Sequence, residues 1–187
     1  MPVVSNTSAS FIAAADGRYE PQRTNQFMLR LNPKGVGERI SEEILCRAVR
    51  VLAFPALNVE AIPIEFVNEV VFVAGRHKTE PIEITLYDFL DEESAEQIIW
   101  DWVKKVYDPT TGNMGLAKDY KVDSATLLKM GPAGANWRPW TLRGVWPMKF
   151  SPGKGDMTTA AAMTMELTIQ CDRFYRAESN WVSAYPA

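Results

Sequence analysis

Histidine and cysteine are nearly missing from this chain: His77 is its only histidine, and Cys46 and Cys171 are its only cysteines. The two thiols lie far apart, with no CxxC or Cys/His spacing, so a zinc site would lack ligands. Buried free thiols suit such a pair better than a disulfide, and they match a reducing cytoplasm. No run of about 18 apolar residues is present to span a bilayer. No basic segment followed by an apolar core opens the chain, so no signal peptide is expected and synthesis and initial residence are expected in a cytoplasm. A basic excess is missing too: 20 lysines and arginines face 23 aspartates and glutamates, a formal charge of −3. Tight nonspecific DNA binding normally needs a basic stripe, so none is expected.

Catalytic constellations are equally scarce. His77 stands between Arg76 and Lys78 at a strand end, a setting that suits surface decoration better than acid–base chemistry. Asp88, Asp91, Glu92 and Glu93 could be read as a carboxylate pair or a hard-metal site, but the positive end of a helix explains them more simply. Gly153-Lys154-Gly155 lacks the GxxxxGK[ST] frame of a phosphate loop. No serine or cysteine has an identifiable base. The expectation is a protein that is not an enzyme and takes no cofactor or metal.

What is present is β-type patterning. A chain of 187 residues with 47% hydrophobic and 23% charged content can build one well-cored domain with extended arms. Residues 1–24 show no sustained period and read as an arm. Residues 26–31 alternate, with Phe27, Leu29 and Leu31 on one side, and end at Asn32-Pro33-Lys34-Gly35, a strand followed by a turn. Residues 35–44 fit either a loop or one helical turn. Residues 45–74 read as strands forming long hairpin arms, interrupted by Pro55 and Pro63; proline removes a ladder donor and marks an edge, bulge or bend. This hairpin could be core, but its prolines favour an exposed extension. Arg47 and Arg50 within it alternate to opposite faces.

Pro81 opens a further strand, in which Ile82, Ile84 and Leu86 alternate with Glu83, Thr85 and Tyr87. A helix is expected over residues 92–107, because Ala95, Ile98, Ile99, Trp102, Val103 and Val106 recur at three- and four-residue spacing. Acidic residues 91–93 precede it and Lys104 and Lys105 end it, matching the macrodipole. Trp100 falls off the stripe, as rim packing or as an anchor for another subunit, with packing favoured. Strands are expected over residues 121–129 and 140–146, and the cleanest over 163–171. There Met163, Met165, Leu167, Ile169 and Cys171 alternate with Thr164, Glu166, Thr168, Gln170 and Asp172, over roughly 30 Å. The polar side of this strand must stay wet, either as a sandwich exterior or as the wall of an aqueous channel.

Three ordered blocks resemble the tail tube proteins of contractile-tailed bacteriophages. The first begins Leu45-Cys46-Arg47-Ala48 and runs through Phe54-Pro55 to Gly75. The second is Pro81-Ile82-Glu83-Ile84-Thr85-Leu86-Tyr87-Asp88, the helix, and Tyr107-Asp108-Pro109-Thr110-Thr111-Gly112-Asn113. The third is Trp140-Thr141-Leu142-Arg143-Gly144-Val145-Trp146-Pro147 through Ser151-Pro152-Gly153, then the alternating strand into Phe174-Tyr175. The resemblance covers residues 25–176; the N-terminal arm and the C-terminal tail, residues 177–187 with Trp181 and Tyr185, look like additions.

The resemblance implies a mainly β protein: an antiparallel β-barrel or sandwich with one amphipathic helix packed across it, a long hairpin extension and terminal arms. It implies a homo-hexamer whose rings stack into a tube, with a tail sheath outside, tape-measure protein and DNA transiently in the lumen, and baseplate and tail terminator at the ends. Such a subunit is assembled in the host cytoplasm, resides in the virion tail and does not insert in a membrane. Channel-lining candidates are then Glu83, Thr85, Glu166, Thr168, Gln170 and Asp172. Inter-subunit candidates are Arg47, Arg50, Pro55, Pro63 and Trp181. The alternatives are a tube or baseplate tube-initiator of a secretion or injection machine, similar to type VI secretion tube proteins, and a monomeric β-sandwich binding module with Trp137, Trp140 or Trp181 around a groove.

Overall fold

The computed structural model describes residues 22–33, 40–90, 94–131, 138–158 and 160–176. Along the described chain the elements are β1 (Phe27–Arg30), α1 (Ile40–Ala48), β2 (Val49–Leu52), β3 (Leu57–Glu65), β4 (Val70–Thr79), β5 (Ile82–Tyr87), α2 (Ala95–Val106), α3 (Ala117–Tyr120), β6 (Val122–Lys129), β7 (Arg138–Ser151), β8 (Thr164–Gln170) and β9 (Arg173–Arg176). The protein is a mainly β sandwich with α2 packed across it. Its strand order is β1-β6-β7-β8-β5-β2, with β9 on β7, and β3–β4 stands apart as a separate hairpin. Every pairing is antiparallel. Among the described residues β1 and β2 each pair on one side alone, so the sheet does not close into a barrel.

One strand serves both layers. Residues 138–145 of β7 pair with β6, residues 146–151 pair with β8, and residues 140–143 carry β9. Just before the changeover stands Gly144, whose φ is 63°, a left-handed value that L-residues with a Cβ avoid. Space gives a second reason for glycine: a Cβ there would stand 2.2 Å from Asp172 Oδ2. Asp172 belongs to the link between β8 and β9, where its N–H donates to the Arg143 carbonyl at 2.9 Å. Both its carboxylate oxygens lie 2.8 Å from Lys121 Nζ, tying the bend to the start of β6.

The core follows from alternation. Ile82, Ile84 and Leu86 of β5, Met165, Leu167 and Ile169 of β8, and Leu127, Leu142 and Val145 of β6 and β7 are all buried in one cluster. Helix α2 adds Ala95, Ile98, Ile99 and Trp102. Trp102 is fully buried, and its Nε1–H donates to the Tyr120 carbonyl at 2.7 Å, so the indole buries its ring without orphaning its donor. Trp100 leans on Phe150, with ring centroids 6.4 Å apart, which is the rim packing expected of it.

Three boundaries differ from the sequence expectation. Residues 45–48 are not strand but the last turn of α1. Glu42 and Glu43 in its first turn and Arg47 in its last suit the macrodipole, and Leu45 and Ala48 share its buried side. Arg47 therefore does not alternate with Arg50 on one strand. The projecting hairpin is Leu57–Thr79 rather than residues 45–74, because β2 stays in the sandwich by pairing with β5. Helix α2 starts at Ala95, where the Ser94 side chain accepts from the Gln97 N–H; this N-cap stops the helix three residues later than acidity alone suggests. Residues 1–21 of the N-terminal arm, residues 91–93, the C-terminal tail and Trp137 lie outside the described residues.

Gly144→Ala is expected to lower stability by about 2–3 kcal/mol in urea unfolding, from the positive φ and the Asp172 overlap together. Measured in an Asp172→Ala background, which lacks the carboxylate, the cost of Gly144→Ala should fall to about 1 kcal/mol, mostly backbone strain.

Candidate functional site

Two surfaces stand out. The first is the open face of β5 and β8. In register, Glu83 pairs with Thr168, and Thr85 with Glu166. Across β8 the rows continue to Lys149 and Ser151 on β7. Two lateral rows result, Glu83–Thr168–Lys149 and Thr85–Glu166–Ser151, with neighbouring strands about 4.8 Å apart. Glu83, Glu166 and Lys149 are exposed, and the two threonines are half-buried. Val51 of β2 extends the second row beside Thr85. The face therefore carries short hydroxyls, two carboxylates and one ammonium.

The remaining lining candidates are tied more closely. Gln170 donates from Nε2 to the Thr79 carbonyl at 2.9 Å, which fastens β8 to the foot of the hairpin. Asp172 lies past the end of β8, in the link to β9, and holds Lys121. Lys149 and Ser151 were not among the candidates because Pro147 ends the visible alternation of β7. Proline is tolerated there because that half of β7 pairs with β8 alone among the described residues.

The second surface is the β3–β4 hairpin, nine and ten residues long, or about 30 Å. It continues the β2–β5 ladder beyond the sandwich through a joint that carries Pro55 and Pro81. There the Glu80 N–H donates to the Ala56 carbonyl at 3.3 Å and Ala53 N–H to the Glu83 carbonyl at 2.9 Å. Beyond the joint, Ile62 faces Val73, Pro63 faces Phe72 and Ile64 faces Val71. Consecutive pairs point to opposite sides, so both sides of the hairpin are apolar. Phe66 is 63% exposed, Val67 99% and Phe72 67%. Pro63 sits on β3, whose outer edge is unpaired among the described residues, as its missing donor requires. Arg47 is exposed and pairs with Glu43, while Arg50 lies over the Tyr87 ring, 5.5 Å from its centroid.

Catalytic geometry does not assemble. Among the described residues no three of His, Cys, Asp and Glu form a metal-holding group. His77 lies exposed on β4, opposite Val59. Both cysteines are free thiols. Burial, with the charge of Asp172 behind it, pushes the Cys171 thiol up to about 11, and burial raises that of Cys46.

No family model matches the sequence, and no curated protein matches it. Solved structures do match its fold. In the sheath/tube terminator of PVC, an extracellular contractile injection system, in its extended state, a chain superposes with a TM-score of 0.63 at 13% identity, covering 83% of this chain and 96% of that one. A chain of the tube-terminating cap of the anti-feeding prophage gives 0.63 at 13% identity, covering 83% and 90%. In the extended sheath–tube complex of PVC a chain gives 0.58 at 15% identity, covering 92% and 98%. This is the fold of contractile-injection-system tube proteins.

The loop after α2 folds into a turn held by its own side chains. Tyr107 bridges to Met114, and the Asp108 carboxylate accepts from Thr110 N–H at 2.9 Å and Thr111 Oγ1–H at 2.8 Å. Those bonds, the Thr110 amide first, hold its carboxyl below the usual value. A depressed folded pKa means stability present above the unfolded value of about 3.9 and lost as pH falls through the folded one. In a carboxyl NMR titration Asp108 should titrate below that unfolded value, and Thr111→Val should move it part of the way back. Cys171 should resist alkylation at pH 8 in the folded protein and react on unfolding in urea.

Proposed function

We propose that this protein is a tube-type structural subunit of a contractile injection system, assembling as hexameric rings that stack into a tube. One observation carries the reading: the β3–β4 hairpin exposes Phe66, Val67 and Phe72 on a ladder that belongs to no packed core. A two-stranded hairpin is marginal alone in water, and exposed apolar patches of this extent mark interfaces. Neighbouring subunits would cover it, and heterologous contacts of this kind generate rings and stacks.

In such a ring the open face of β5 and β8 lines the channel, with Glu83, Thr85, Glu166, Thr168 and Gln170 on the wall and Lys149 and Ser151 beside them. Asp172 serves at the wall's margin through its bridge to Lys121. Arg50, Pro55 and Pro63 belong to the side that meets other subunits, Arg47 to its periphery, and Trp181 to a tail with the same role. A sheath surrounds the tube, and terminator and baseplate components cap it. The matched structures come from an extracellular injection system and an anti-feeding prophage, which supports an injection machine over a DNA-ejecting phage tail. In the phage version tape-measure protein and DNA cross the lumen. Two carboxylates against one lysine would give DNA few phosphate-neutralising contacts, so the wall is compatible with that version too. A monomeric binding module would need Trp140 open around a groove, but it is half-buried and packs on Phe174 at 6.0 Å.

Negative-stain electron microscopy across a concentration series tests the reading. Rings or hollow tubes are expected from the intact chain. A variant with residues 57–79 replaced by a short Gly-Ser turn should keep the cooperative unfolding of the sandwich and form neither. A chain that stays monomeric in sedimentation at every concentration, even with purified sheath and baseplate components, overturns it.

A further inference from the structure

The two end strands of the sheet face each other across a groove of about 600 Å³, lined by β1, the end of α1, β2 and Tyr87. Phe27, Met28, Cys46, Arg50, Val51 and Tyr87 supply its working surface. The groove sets apolar side chains, Phe27, Met28 and Val51 among them, beside the polar Thr24 and Asn25, with one cation in it. Arg50 rests on the Tyr87 ring and has no carboxylate partner among the described residues. The nearby arginines are already matched, Arg30 by Glu42 and Arg47 by Glu43. Among the described residues β2 also presents an unpaired edge here, with a register shift between Val49 and Val51. An open strand edge beside apolar pockets and an unneutralised cation is suited to an added strand or turn with apolar side chains and an acid.

That combination occurs on the same molecule. The tip of the β3–β4 hairpin is Phe66-Val67-Asn68-Glu69, closed by Phe66 N–H to the Glu69 carbonyl at 2.8 Å. Phe66 and Val67 are exposed, and Glu65 and Glu69 flank them without an ion pair among the described residues. We propose that the β1–β2 groove is the receptor for the hairpin tip of a second copy of this chain. It rests on the tube reading above and specifies its joint. Phe66 and Val67 enter beside Phe27, Met28 and Val51, and Glu65 and Glu69 meet Arg50. Each subunit then offers one tip and one groove, a heterologous contact that propagates from copy to copy and closes only when the rotation allows. The groove is large enough for an aromatic side chain and its neighbours. The inserted tip also covers the free edge of β2, and so removes two exposed liabilities at once.

Cys46 makes the test direct, because a native thiol already lines the groove. Single Val67→Cys and Asn68→Cys variants, treated with copper-phenanthroline or a short bismaleimide, should give a covalent ladder on a non-reducing gel. The ladder should vanish when Cys46→Ser is added, and Leu90→Cys, exposed elsewhere, should give none. Independently, Arg50→Glu should raise the protein concentration needed for assembly about tenfold. Glu65→Arg with Glu69→Arg should do the same, and the combined charge swap should restore assembly. Rings seen by microscopy without a Cys46-dependent ladder, or without restoration by the swap, overturn the joint and leave the tube reading standing. A permanent monomer with no ladder overturns both.

Discussion

The bend in β7 at Gly144 is the constraint on which the remaining structure depends. The strand crosses from the β6 layer to the β8 layer just beyond it, after Val145, so the angle between layers follows from the backbone at this point. The positive φ, the Asp172 N–H on the Arg143 carbonyl and the carboxylate on Lys121 act at the same point. An exposed ion pair by itself contributes little. Its importance here is positional, since it fills the space that a side chain at residue 144 would need. Given that angle, the inward residues of β5, β8, β6 and β7 meet in one core and α2 can seal it with Trp102.

Orienting the core in this way also decides what is left outside. The outward side of β5 and β8 is a row of hydroxyls, amide and carboxylates, while the extension of the β2–β5 ladder carries aliphatic and aromatic groups on both sides. These are opposite solutions in neighbouring parts of one chain. Within the sandwich, alternation gives each strand a dry and a wet side. Beyond the prolines of the joint neither side is dry among the described residues. The contrast separates a polar surface suited to water from an apolar one suited to the subunit contacts proposed above.

Much of this was legible in the residues. The period-two pattern of residues 163–171 located β8 almost to the residue, and the stripe of α2 named all four of its buried side chains. Residues 45–48 were misread because Leu, Cys, Arg and Ala satisfy a strand and a helical turn equally over so short a span. Lys149 and Ser151 escaped notice because Pro147 breaks the pattern, and only the pairing of β7 with one neighbour explains why it is tolerated. The lateral rows joining Glu83 to Lys149 had no signal at all, since strand registry between distant segments leaves no mark within either.

The sequence by itself determined the mainly β character, the sidedness of β5 and β8, the amphipathic helix and the lack of a metal-ligand pattern. Those properties depend on neighbours a few residues apart, and periodicity records them. The tertiary structure alone decided that the sheet stays open between β1 and β2, that Asp172 answers to Lys121, and that the hairpin leaves the sandwich at Leu57. Each of these is a meeting of residues far apart in the chain, selected by packing and hydrogen-bond satisfaction over the whole fold.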